Sequence, residues 1–164
     1  MPLATLNTCT PEVAAAQLTP CVDIPRWVEA IVDARPFSSE ADLIAFAEKA
    51  AYPWTEAEID GALAHHPRIG DRAQGNTTEA TMSRGEQAGV STAVETQTAL
   101  QAGNRAYEEK FGRVFLIRAA GRSAEDILAA LDERLQNTPA QELEIIAQQL
   151  REIAILRLKG VLAA

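Results

Sequence analysis

The run "RVFLIRA", residues 113–119, reads as a β-strand: a short apolar stretch carrying a β-branched and an aromatic residue between polar flanks. A buried strand must pair its backbone N–H and C=O groups, and the chain offers no second run of this kind to pair with. The reading that follows is an all-α, single-domain helical bundle of about seven to nine helices with one short extended segment.

Working outward from that run, helix starts are marked by capping residues. Thr10-Pro11 opens a short helix through Val13 and Leu18, and "IPRWVEAIVDARP" (24–36) forms a second, closed by Pro36. Ser39 starts "SEADLIAFAEKAA" (39–51), which ends before Pro53. Thr55 with Glu58 has the spacing of a capping box, and that helix is expected to run to His65 or His66, where Pro67 stops it. Residues 67–82 show no clean period and read as a long loop, a length often tied to function. Ser83 with Glu86 reads as another capping box, leading into a long helix whose face carries Gln97, Leu100, Asn104, Tyr107 and Phe111. Ser123 caps "AEDILAALDERLQ", and Thr138-Pro139 with Gln141 begins a last helix to about Val161.

Composition narrows the function classes. The 164 residues are 47 % hydrophobic, a globular share, and suit one domain over 1–164. Lys and Arg number 15 against 23 Asp and Glu, a net charge of -8, which argues against nucleic acid or an anionic membrane as partner. No apolar run approaches the roughly 20 residues of a membrane span. Cys9 and Cys21 form neither a disulfide framework nor a Cys-x-x-Cys motif, and no targeting segment is recognisable, so a cytoplasmic setting is expected.

Two polar side chains fall on apolar helical faces. Ile59, Ala62, Leu63 and His66 continue one stripe, with His65 turned about 100° away toward solvent. Arg157 shares a face with Leu143, Ile146, Ala147, Leu150, Ala154 and Val161. His66 is either a satisfied structural histidine or an acid/base. Arg157 serves either a structural ion pair, with Glu86 as one partner, or a carboxylate or urea-like ligand group. Zinc at His65-His66 is disfavoured, because adjacent helical side chains diverge and the chain has no other histidine. Periodicity supplies candidates but no reaction.

Five blocks carry a resemblance: "HPRIG" (66–70), "SRGEQAGV" (83–90), "NRAYEEKFGRVFLIRAAGRS" (104–123), "ILAALDERLQN" (127–137) and "EIAILRL" (152–158). In this order the sequence resembles the 2-oxo-4-hydroxy-4-carboxy-5-ureidoimidazoline (OHCU) decarboxylases over essentially its full length. The resemblance implies a cofactor-independent, all-helical lyase that turns OHCU into (S)-allantoin, the last step of urate oxidation, and works as a homodimer. It places the catalytic histidine at His66, with Glu86 as its catalytic partner. Substrate binding falls to Pro67, Ser83, Glu86, Arg157 and the backbone of Phe115, Leu116 and Ile117, with no metal. Arg113 and Gly85 depart from the family pattern, and the backbone contacts near Arg113 are the ones this affects. The competing readings are a helical ligand-binding module that keeps the fold without activity, and a metal-dependent hydrolase using His65, His66 and Asp71.

Overall fold

The computed structural model of the chain describes residues 1–71, 77–90 and 93–164. Among the described residues there are nine helices and no strand, an all-α protein as the sequence implied. The chain packs as two compact units, Met1–Ala62 with Arg151–Ala164, and Leu63–Leu150.

The first unit holds α1 (Leu3–Thr8), α2 (Pro11–Leu18), α3 (Pro25–Ala34), α4 (Glu40–Lys49), most of α5 (Glu56–Leu63) and the C-terminal part of α9 (Pro139–Ala163). The expected caps are present. Thr10 accepts from the Val13 amide and Ser39 from the Asp42 amide, at 3.3 and 3.1 Å. Thr55 and Glu58 form a reciprocal box at 2.8 and 3.2 Å. The amphipathic α3 buries Trp27, Val28 and Ile31, and the Trp27 indole N–H donates to the Ala47 carbonyl at 2.9 Å. A buried indole keeps its polar edge satisfied in this way. The N-terminal amino group donates to the Val161 and Ala164 carbonyls, tying the chain ends together. The helix α1 was not foreseen, since six residues with one buried side chain, Leu6, leave no periodicity to read.

The second unit holds α6 (Thr78–Glu86), α7 (Val94–Phe111), α8 (Ala124–Arg134) and the N-terminal part of α9. Its core gathers Ile69, Leu100, Tyr107, Phe115, Ile117, Ile127 and Leu131. Ser123 with Asp126, and Thr138 with Gln141, close capping boxes at the starts of α8 and α9. Gly112 ends α7 in the left-handed region at φ 68, where glycine avoids the Cβ clash.

In the run at 113–119, Phe115, Leu116, Ile117 and Ala119 are buried, but the run joins no sheet. Side chains replace a partner strand: Arg134 Nη1 donates to the Leu116 carbonyl at 2.6 Å, and Gln149 Oε1 accepts from the Arg118 amide at 2.8 Å.

Three expectations need correction. The stretch 67–82 is not all loop, because α6 begins at Thr78, with Thr77 capping it by accepting from the Ala80 amide at 3.1 Å. Ser83-Glu86 is therefore no capping box. Ser83 lies within α6, buried, and Glu86 is its last residue. Finally, α5 ends at Leu63 rather than at His65 or His66. Pro67 disfavours helical backbone at His66, and the chain leaves α5 through a turn closed by His66 N–H to the Leu63 carbonyl at 3.0 Å.

Candidate active site

His66 stands on the turn that follows α5, half-buried, while His65 is exposed. The turn reverses through Gly70, whose φ of +95 suits glycine. A Cβ there would also lie 3.2 Å from Gln97 Oε1 and 3.3 Å from Leu100 Cδ1 on α7. Ile69 beside it is buried in the core of the unit. At the rim, Arg68 pairs with Glu108 at 2.8 Å, an exposed contact of small energetic weight.

His66 and Pro67 face a cleft of about 510 Å³, lined as well by Ala64, His65, Thr77, Glu79, Ala80 and Ser83. This volume suits a small molecule. Ser83 reaches it from α6 with only 4 % of its surface exposed. Glu86 sits three residues on, half-buried, on the face of α6 that Ser83 occupies. Thus His66, Pro67 and Ser83 come together at one cleft, whereas Glu86, Phe115, Leu116 and Ile117 belong to the same unit without lining it. Thr77 and Glu79 line it too, and nothing in their spacing had marked them.

The segment at 115–117 has a property suited to an amide-rich ligand. Its side chains are buried, and the N–H and C=O of Ile117 have no hydrogen-bond partner among the described residues. Buried backbone groups are rarely left in that state without water or ligand to complete them.

Arg157 lies in the other unit, on the buried face of α9 as its periodicity implied, with 5 % of its surface exposed. There its Nη1 donates to the Pro20 carbonyl at 2.9 Å. Cys21 is close by, and burial pushes its thiol up to about 12, against a weaker opposing pull from the Arg157 guanidinium. A thiol in that range is no thiolate nucleophile at neutral pH. Among the described residues no group of three His, Cys, Asp or Glu side chains is arranged to hold a metal ion.

Two buried amides were missed as site residues. Gln87 bonds the backbone of Gly70 and Asp71, and Asn104 bonds the Ile69 carbonyl. Asn104 did leave a trace in the sequence, as an amide on the otherwise apolar face between Leu100 and Tyr107. Gln87 left none.

Comparison with known proteins gives the family. The family model for OHCU decarboxylase matches residues 7–159. The chain is 32 % identical over 148 residues to the 2-oxo-4-hydroxy-4-carboxy-5-ureidoimidazoline decarboxylase of Amia calva, covering 84 % of this chain and 81 % of that one. The enzyme of the same name from Mus musculus is also 32 % identical over 148 residues, at 85 % and 80 % coverage. An OHCU decarboxylase solved in the presence of (S)-allantoin superposes with a TM-score of 0.74 at 25 % identity, over 95 % of this chain and 100 % of that one. By sequence across nearly its whole length, and by fold, the chain belongs to the OHCU decarboxylase family.

Proposed function

We propose that this protein decarboxylates OHCU to (S)-allantoin without a cofactor, with His66 as general acid/base. The observation that carries the assignment is the cleft that His66 shares with Pro67 and Ser83, in a chain that matches the family from residue 7 to 159. That match runs through both compact units, which supports a single OHCU-decarboxylase-like domain.

Losing CO2 from a carbon leaves an electron pair that needs a sink, which many decarboxylases obtain from a cofactor. OHCU carries its own. The carboxylate sits on the hydroxyl-bearing ring carbon next to the C=N bond. As the bond to CO2 breaks, its electron pair forms a C=C bond with the neighbouring carbon, and the former C=N pair goes to nitrogen, which takes a proton. The resulting enol is protonated at the ureido-bearing carbon and loses its hydroxyl proton, leaving the ketone of allantoin. One proton is consumed overall, and CO2 departs.

In this reading His66 handles protons at the hydroxyl and the reacting carbon. Glu86 orients the ring by accepting from its N–H or OH groups. Arg157 grips a carbonyl or carboxylate through its planar fork. Ser83 contributes a hydroxyl to the cleft, and the backbone N–H and C=O of Ile117, without a partner among the described residues, meet the amide edge of the ligand as part of the Phe115–Ile117 segment. On the same reading the protein works in the cytoplasm as a homodimer, on a small molecule rather than on nucleic acid or membrane. The net charge of -8 supports the last point.

The test generates OHCU in situ by enzymatic oxidation of urate and hydrolysis of the first product, then follows circular dichroism as this protein is added. Accelerated appearance of the (S)-allantoin signal is the expected result, and His66→Ala should remove most of it while leaving the helical far-ultraviolet spectrum intact. Slow racemic decay in the presence of folded wild-type protein would instead favour a ligand-binding module. Near wild-type turnover by His66→Ala would overturn the mechanism but leave the activity standing.

A further inference from the structure

A histidine beyond the end of a helix lacks the hydrogen-bond ladder that would hold its backbone. His66 N–H donates to the Leu63 carbonyl and Asp71 N–H to the Arg68 carbonyl, two isolated turn bonds, and residues 67–71 belong to no helix or strand. Something else must fix the turn if the imidazole is to meet a substrate in a defined geometry.

Two buried side-chain amides do so. Gln87 Oε1 accepts from the Gly70 N–H at 3.0 Å, and its Nε2 donates to the Asp71 carbonyl at 3.2 Å. Asn104 Nδ2 donates to the Ile69 carbonyl at 2.8 Å. Three consecutive residues, 69 to 71, therefore each have a backbone group held by an amide, one from the end of α6 and one from the middle of α7. Both amides are 4 % exposed. Their orientation follows from the network: with either amide turned over, oxygen would face carbonyl oxygen, or NH2 would face N–H.

Packing alone does not account for Asn104. Its Oδ1 is buried with no partner among the described residues, and an orphaned acceptor of this kind is destabilising. What the residue does supply is the bond to Ile69. Gln87 directly follows Glu86 and lies one turn beyond Ser83, so its grip also ties the His66 turn to the helix that carries both.

We propose that Gln87 and Asn104 are positioning residues of the decarboxylase, holding the turn of residues 66–71 in the register from which His66 reacts. This rests on the assignment of His66 as the acid/base. A reacting group misplaced by about 1 Å costs on the order of 100-fold in rate, so loosening either anchor should slow the chemical step more than it weakens capture of the substrate.

The experiment measures kcat and KM on OHCU for Gln87→Met and Asn104→Leu, with (S)-allantoin affinity and the imidazole proton spectrum beside them. Only His65 and His66 contribute to that spectrum. The expected result is kcat lower by roughly 10- to 100-fold, with KM and allantoin Kd within about threefold. The His66 resonances should broaden or shift while those of His65 stay in place. Gln87→Glu keeps the length and the acceptor toward Gly70 while losing the donor toward Asp71, so it carries the same expectation if Gln87→Met does not fold. Folded variants that keep kcat within about twofold of wild type, or that lose kcat with unchanged His66 resonances, overturn the proposal. His66→Ala is the control: wild-type turnover there would remove the acid/base assignment itself, a failure distinct from loss of the anchors alone.

Discussion

Replacing Glu142 by glutamine is the sharpest probe of what holds the 115–117 segment. Glu142 is 1 % exposed, and its Oε1 accepts from Arg134 Nε at 2.9 Å and from the Tyr107 hydroxyl at 2.5 Å. Its Oε2 accepts from Asn137 Nδ2 at 2.9 Å. Arg134 Nη2 also lies 2.9 Å from Oε1, an ion-pair contact in which the N–H is not aimed at the oxygen. The guanidinium is 6 % exposed, stacks 4.5 Å over the Phe115 ring, and holds the Leu116 carbonyl through Nη1. Glu142→Gln removes the balancing charge and leaves this cation buried.

Breaking a buried pair from one side costs about 3–5 kcal/mol. The Leu116 carbonyl and the glutamine oxygen still solvate Arg134, so the low end, about 3 kcal/mol, is expected. With a urea slope of about 1–3 kcal/mol/M, the midpoint should fall by roughly 1–3 M. Far-ultraviolet circular dichroism is the probe to use, since Trp27 and Trp54 both lie in the other unit. Removing both charges, as Arg134→Met with Glu142→Leu, should cost less than the sum of the single changes, with a coupling of at least about 2 kcal/mol. A loss below about 1 kcal/mol for Glu142→Gln would refute the claim that this charge pair underpins the segment.

Arg157→Ala should raise KM on OHCU by roughly 10- to 100-fold, the worth of a hydrogen bond to a charged group, and should also lower the melting temperature through the lost bond to Pro20. Glu58 is held at about 2, first by its hydrogen bond to Arg26, so its stabilising contribution is complete above the unfolded carboxylate range, near pH 4.3, and fades as pH falls toward 2. The stability gap between wild type and Glu58→Gln, read from urea unfolding at a series of pH values, should therefore close across that window. Gly103→Ala would place a Cβ 2.2 Å from Leu131 Cδ2 and 3.2 Å from its Cγ, against a buried leucine where α7 packs on α8. The gain of about 1 kcal/mol in helix propensity should lose to overpacking of about 1–3 kcal/mol, giving a lower melting temperature.

Much of the fold was legible because caps are local chemistry. Thr10, Ser39, Thr55, Ser123 and Thr138 each announce a helix from within three residues, and all five helices are present. The failure at α6 has an equally physical cause. A serine and a glutamate three apart satisfy a capping box at a helix start, but the same spacing inside a helix puts both on one face, and only burial separates the two cases. In α6 the buried residues are Ala80 and Ser83, too little apolar surface to signal a helix in advance.

The site divides along the same line. His66, Pro67 and Ser83 stand in short motifs, so these three of the residues that face the cleft were readable one by one, whereas Thr77 and Glu79 were not. The bonds that fix the turn beneath His66 join positions 17 and 35 apart in sequence, from Gln87 to Gly70 and from Asn104 to Ile69. No helical or strand period connects such pairs. Motif spacing thus marks where the chemistry sits, while tertiary amide contacts decide how accurately it sits there. An amide on an apolar helix face, as Asn104 stands between Leu100 and Tyr107, is the trace such an anchor leaves in a sequence, because a side chain that forgoes apolar packing must hold some polar group in return.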